Sequence, residues 1–326
     1  MLEELSLQKI AEIAGYDSAE WVESVQSLWS GYGEVVRVRM QPSGQTAIVK
    51  HVCPPDKRSH KHGWANDVSH QRKLSSYANE LAWYQGAAGQ CNGVCRTAKL
   101  IGAKSEEGRW LMVFEDLDAV GFPLRRNRVN QRQVEACLQW LAGLHAKLLT
   151  DREMDRAAKT HGLWPIGTYW HLATRPDELQ SMESGPLKKH AGAIDRRLNE
   201  CRFQTVVHGD AKLANFCFAK DDRVAAVDFQ YVGGGCGIKD VAYFLSSCLD
   251  EDECERRESD LLDKYFDFLG RHSLEVDAEQ VEAEWREMYR FAWADFCRFL
   301  AGWSPGHWKL HRYSRRLADE TIDQLS

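Results

Sequence analysis

Three residues in one short stretch have the types and spacing to do chemistry. They are Asp210, Asn215 and Asp228, five and then thirteen residues apart. Moving a phosphoryl group from a nucleotide to a hydroxyl needs one carboxylate that orients and deprotonates the hydroxyl. It also needs hard oxygen donors that hold Mg2+ on the nucleotide phosphates. Asp210 suits the first task. Asn215 and Asp228 suit the second, and the Asn215 amide oxygen ligates a cation without adding repulsive charge. Lys212 lies two residues past the candidate base, where an ammonium would neutralise charge developing on the transferred group.

The elements that position these groups read directly. LANFCFA (213–219) is one apolar run, KDDR (220–223) a polar turn and VAAVDF (224–229) a second run, which together predict a hairpin. Asp210 and Asn215 then lie on the loop entering the first strand, and Asp228 leaves the second. His208 reads as a brace for that loop.

His208-Gly209-Asp210, the hairpin and Asp228-Phe229-Gln230 together resemble the kinase-like phosphotransferases, whose protein-kinase relatives carry H-R-D-x-x-x-x-N and D-F-G. The His-Gly-Asp form is similar to the aminoglycoside phosphotransferase and choline kinase superfamily. The Asp-Phe-Gln ending, followed by Asp240-Val-Ala-Tyr-Phe-Leu245, is most similar to its ecdysteroid-kinase-like branch. The resemblance implies ATP and Mg2+ as cofactors. It also implies that Lys50, in the strand TAIVKHV, pairs with the α- and β-phosphates. A lysine in an apolar strand needs a partner in any case, and Glu80 fits. Gly31, Tyr32 and Gly33 resemble a glycine-rich phosphate loop, although the third glycine position is Val36. Backbone amides of Tyr32 and Gly33 would then face the β-phosphate. Glu115, Asp116 and Leu117 correspond to the hinge, where adenine meets backbone groups. Lys212 stands where protein kinases often carry a lysine that meets the γ-phosphate. Asp240 matches a bracing aspartate and is placed to cap a helix over 240–249.

Patterning along the chain predicts an α+β, bilobal protein-kinase-like fold. A helix is expected over 3–14 and strands on either side of Ser30–Gly33 and of Pro42–Gly44, with Val36, Val38 and Met40 alternating with Arg37 and Arg39. A polar loop over 53–73 precedes a helix over 74–86, and strands follow over 95–103 and 109–117. That is a five-stranded antiparallel sheet plus one helix. Residues 1–117 form the N-terminal nucleotide-binding lobe, 118–126 the linker, and 127–326 a mostly helical catalytic and substrate lobe. Helices are expected over 130–149, 187–200, 240–249, 252–270, 278–302 and 308–325.

Only eleven residues separate Asp228 from Asp240, and no Ala-Pro-Glu ends the segment. That length favours a small-molecule hydroxyl acceptor over a peptide. The rival readings are a protein kinase and a nucleotide-binding pseudokinase scaffold. Trp285, Tyr289 and Trp293 recur every four residues on one helix face. Such a stripe either packs a core or walls a pocket, with Asp295 as a polar anchor and Trp164, Tyr169 and Trp170 opposite. Residues 57–73 hold a basic cluster (Lys57, Arg58, His60, Lys61, His62, His70, Arg72 and Lys73) of the kind usually solvated.

A net charge of -6 disfavours nucleic acid and anionic membranes as partners. No apolar run approaches the ~20 residues of a membrane span, and the first residues are unlike a secretory signal, so the cytoplasm is expected. Ten scattered cysteines without a CxxC pair read as reduced core thiols.

Overall fold

The computed structural model describes residues 4–54, 65–91, 93–151 and 162–326. Helix α1 (Glu4–Ala14) is followed by strands β1 (Ser18–Ser27), β2 (Gly33–Gln41) and β3 (Thr46–Val52). Then come helix α2 (Ala65–Gln85) and strands β4 (Leu100–Glu106) and β5 (Arg109–Glu115). The five strands form one antiparallel sheet in the order β1-β2-β3-β5-β4. Alternation along β2 sets its faces. Val36, Val38 and Met40 are buried and join Ile10 and Ala11 of α1, which covers that side of the sheet. Met112 and Phe114 of β5, with Tyr77 and Leu81 of α2, form the opposite face.

That second face does not end with the sheet. Its buried cluster continues through Leu117 and Phe122 to Cys217, Ala219 and Ala225 of the hairpin, so apolar packing joins the two halves of the chain.

The second half is built on α3 (Gln131–Leu148), β6 (Thr150–Asp151), α4 (Pro176–Ser181), α5 (Pro186–Asn199), β7 (Phe203–Val207), β8 (Phe216–Phe218), β9 (Val224–Ala226), β10 (Gly233–Gly235), α6 (Ile238–Cys248), α7 (Glu251–Gly270), α8 (Ala278–Trp303) and α9 (Arg312–Leu325). Capping boxes start α3 (Asn130 with Gln133) and α7 (Asp250 with Glu253). β8 and β9 form the expected hairpin. Leu124 exchanges both backbone hydrogen bonds with Phe218 along one edge, and the Ala226 N–H donates to Arg96 on the other side.

Three expectations are corrected. Helix α2 starts at Ala65, so residues 65–73 are helical and not loop; Lys57, Arg58, His60, Lys61 and His62 lie outside the described residues. Strand β4 starts at Leu100, not at residue 95, because 96–97 run beside the hairpin instead. A small sheet in the order β10-β7-β6 was not anticipated. Among the described residues, no helix is long and apolar enough to cross a membrane. All ten cysteines are free, and most are buried.

Candidate active site

The loop after β7 is held from three sides. The Asp240 carboxylate accepts the backbone N–H groups of His208 (2.6 Å) and Gly209 (3.0 Å) and lies 3.2 Å from His145 Nε2. Asp240 sits inside the first turn of α6, and the N-cap is Gly237. Its side chain therefore serves the loop and not its own helix, which corrects the capping role. His208 is buried. Its Nε2 donates to the Val227 carbonyl (3.1 Å), and its Nδ1 accepts the Asp210 N–H (3.2 Å), so these partners assign the tautomer. Its ring thus ties the loop to the strand that leads to Asp228. Gly209 has φ +79°, and a Cβ there would lie 2.1 Å from the Tyr231 carbonyl oxygen. Gly209→Ala is expected to cost roughly 1–3 kcal/mol of stability and to lower turnover, by straining the backbone next to Asp210. Denaturant melts and a coupled ADP assay check this; wild-type values in both would refute it.

Asp210, Asn215, Asp228, Lys50 and Glu80 converge. Asp210 is mostly buried, and its Oδ2 accepts from Lys212 Nζ (2.8 Å) and Asn215 Nδ2 (3.0 Å). Burial pushes its carboxyl above the usual range, with Lys212 opposing. Asn215 Nδ2 also donates to the Asp210 carbonyl (2.8 Å), so its amide nitrogen is committed and its oxygen is the end left for a cation. Asp228 follows β9 in a left-handed conformation, φ +69°, which Asp tolerates better than most residues. Burial works against its charge, but Lys50 and Lys212 outweigh burial and hold its carboxyl below the usual range. Lys50 Nζ lies 2.6 Å from Glu80 and 3.4 Å from Asp228. Burial alone would lower its pKa, yet these two carboxylates raise it and keep the ammonium charged.

Glu80 reaches Lys50 because α2 is fixed by its neighbour. Asn79 Nδ2 donates to the carbonyls of Phe229 (3.4 Å), Gln230 (3.2 Å) and Val232 (3.0 Å), and its Oδ1 accepts the Trp164 N–H (2.7 Å). The segment after Asp228 is thereby attached to the helix that carries Glu80. Asn79 escaped the sequence analysis because a lone polar residue beside a helix acid carries no signal of its own.

The chain is similar to a known family in sequence and to solved structures in fold. Residues 171–277 match the model of the Ecdysteroid kinase-like family. A thermostable mutant of the aminoglycoside phosphotransferase APH(4)-Ia aligns with 98% of this chain and 99% of its own, at 10% identity and a TM-score of 0.51. This is the aminoglycoside phosphotransferase fold. The microcompartment-associated aminopropanol kinase aligns with 97% of this chain and 92% of its own, at 14% identity and a TM-score of 0.50. No curated protein matches the chain in sequence.

Within the phosphotransferase fold, the turn at Gly31–Gly33 departs from expectation. Its amides are largely spent on itself: Gly31 N–H donates to Leu28 and Tyr32 N–H to Trp29. The Tyr32 ring turns inward against Tyr77, and its hydroxyl lies 2.6 Å from His70 Nδ1. Gly33 is required for a different reason: a Cβ there would sit 2.0 Å from the His51 carbonyl oxygen, so the residue lets β2 and β3 close together. At the hinge, the Glu115 N–H donates to Lys99 and the Leu117 carbonyl accepts from Phe122. The Glu115 carboxylate takes the Lys99 N–H (2.7 Å) and Arg96 (2.5 Å).

The aromatic stripe on α8 is core. Trp285, Tyr289 and Trp293 are buried. Trp285 Nε1 donates to the Phe203 carbonyl (3.1 Å), Tyr289 meets Tyr313 hydroxyl to hydroxyl (3.2 Å), and Trp293 packs edge-on against Tyr313. Asp295 is equally buried and pairs with Arg298 at 2.7 Å. Trp285 packs against His145 of α3 and Phe203 of β7, and Tyr289 and Trp293 pack against Tyr313 of α9, so these rings are core. The rings that approach Asp210 come from elsewhere. Tyr243 of α6 couples to Asp210 and to Tyr169, and its phenol is pushed up mainly by burial. Tyr169, whose N–H donates to the Gly209 carbonyl, packs edge-on against Phe299 near the end of α8. Of the expected opposite wall, Tyr169 takes this place, while Trp170 is buried beneath it.

Proposed function

We propose that this protein is an ATP- and Mg2+-dependent phosphotransferase that moves the γ-phosphate of ATP to a hydroxyl of a small organic molecule. One observation carries the reading. Residues drawn from β3, α2, the loop after β7 and the end of β9 meet as Lys50, Glu80, Asp210, Asn215 and Asp228, with contacts of 2.6–3.4 Å.

The donor set fits Mg2+. One carboxylate held ionised (Asp228) and one amide oxygen (Asn215) are the few hard protein ligands this ion uses beside phosphates and water. When bound, the ion neutralises charge on the phosphate oxygens. Lys50, held by Glu80, is placed to take the α- and β-phosphates. The Leu117 N–H, which makes no hydrogen bond among the described residues, is the hinge donor available to adenine. Asp210 accepts a hydrogen bond from the acceptor hydroxyl and orients it. As the new oxygen–phosphorus bond forms, the bond from the γ-phosphorus to the bridging oxygen breaks. Its electron pair leaves with ADP, and the hydroxyl proton passes to Asp210.

Lys212 lies against the base and faces the transferred charge. Its loss should appear in kcat: Lys212→Ala lowers kcat about 10- to 10³-fold with little change in ATP affinity, and Lys212→Arg restores part. Steady-state kinetics with a working acceptor check this. An unchanged kcat would reduce Lys212 to a loop lysine.

Screening hydroxyl metabolites for acceptor-stimulated ADP release tests the whole reading. A panel that covers amines, sugars, acids and alcohols, with no stimulation by any member, would refute it.

A further inference from the structure

Beside the base lies a cation that the transfer step above does not use. Lys309, in the turn between α8 and α9, is 9% exposed. Among the described residues, its Nζ has one hydrogen-bond partner, Ser246 Oγ at 3.3 Å, and no carboxylate within ion-pair distance. It sits instead over the rings of Tyr243 (5.2 Å), Phe296 (5.4 Å) and Trp308 (5.5 Å). Burial lowers its pKa to about 8, and both Asp210 and Lys212 feel its charge, so it lies near the proposed base. An ammonium this deep needs an anion or an equivalent, and rings alone supply only part of that.

Two neighbouring ion pairs are already formed. Asp210 is engaged by Lys212 at 2.8 Å, and Arg175, over the Tyr169 and Phe299 rings, pairs with Glu178 at 3.2 Å. Among the described residues, the carboxylates of these two pairs each already hold a cation, whereas Lys309 holds none. Flat apolar surface is available, however. Trp303 stacks on Phe299 (ring centroids 5.8 Å, planes 13° apart) and is 54% exposed, and Trp308 is 61% exposed. Two large rings left open to water, Trp308 at 5.5 Å from the buried lysine and Trp303 linked to Trp308 through His307, suit an amphipathic anion.

We propose that the acceptor is a hydroxylated organic acid with a flat aromatic or alicyclic body. Its hydroxyl meets Asp210, its carboxylate meets Lys309, and its body lies against Trp303 and Trp308. This rests on the phosphotransferase reading for the role of the hydroxyl, but not for the recognition of the acid.

The test uses matched triplets that share one body, such as 4-(hydroxymethyl)benzoic acid, its amide and 4-(hydroxymethyl)benzylamine, together with alicyclic equivalents. Binding is read from quenching of tryptophan fluorescence in the presence of ADP, and turnover from ADP release. The expected result is that acids bind at least about 10-fold more tightly than their amides and amines, on the scale of one charge-assisted contact. Lys309→Met should close that gap, and Lys309→Arg should keep part of it. Amides or amines that bind as well as the acids overturn the proposal, as does an acid preference that survives Lys309→Met. Acids that bind through Lys309 without ever being phosphorylated support the acid site and refute the phosphotransferase reading instead.

Discussion

Asp210→Asn lowers turnover by roughly 10²-fold or more and leaves nucleotide affinity nearly unchanged, the scale expected when general-base catalysis is lost. The reason lies in the contacts. The replacement is isosteric, so the loop braced by Asp240 and His208 keeps its shape. What changes is the atom that faces the substrate. A carboxylate that burial has made more basic becomes an amide unable to take a proton. Lys50, Glu80 and Asp228 do not depend on that atom, so the nucleotide side is preserved. Titration calorimetry with Mg-ATP and a coupled ADP assay separate the two effects. Turnover near wild type would remove Asp210 from the role of base.

Asp228→Ala abolishes Mg2+-dependent nucleotide binding. Alanine supplies no ligand and also strains a backbone at φ +69°. Asp228→Asn tolerates that backbone while losing the charge, so it separates the two causes. In the wild type, Mg-ATP at a hundred times its Kd should stabilise the fold by about 2.7 kcal/mol, read as a rise in Tm. In Asp228→Ala that rise should vanish. An undiminished rise would show that Asp228 is not a metal ligand.

Asp210, Asn215 and Asp228 stand out as a set in the sequence because the proposed reaction demands particular residue types at fixed intervals within one hairpin. The Lys50–Glu80 pair was legible for a different reason: a lysine in an apolar strand must be neutralised, and few acids lie within reach. Helix α2 was only half legible. Residues 65–73 are polar and lack a 3.6-residue apolar period, and tertiary contacts such as that of Lys73 with Ser30 Oγ (2.8 Å) hold them helical. β10 is Gly233-Gly234-Gly235, which has no side chains to show a pattern, and β7 is buried throughout and so does not alternate. The acceptor side misled most. Trp285, Tyr289 and Trp293 have the regular spacing of a wall, but that spacing is equally that of a core. Tyr169, Tyr243 and Phe299 are scattered in sequence and meet through tertiary packing, Tyr169 lying against both of the other rings.

The attachment of α2 by Asn79 bears on regulation. To leave its place as a unit, the helix must break the bonds from Asn79 to residues 229–232, the Trp164 N–H bond and the Lys50–Glu80 pair at once. At roughly 0.5–1.5 kcal/mol per hydrogen bond, and more where a charge is involved, the displaced helix is a minor species, on the order of 1% or less. A covalent modification or a regulatory subunit would have little pre-existing inactive population to select. If the proposed phosphotransferase reading holds, switching by displacement of α2 is disfavoured, and other controls such as supply of substrates would have to act.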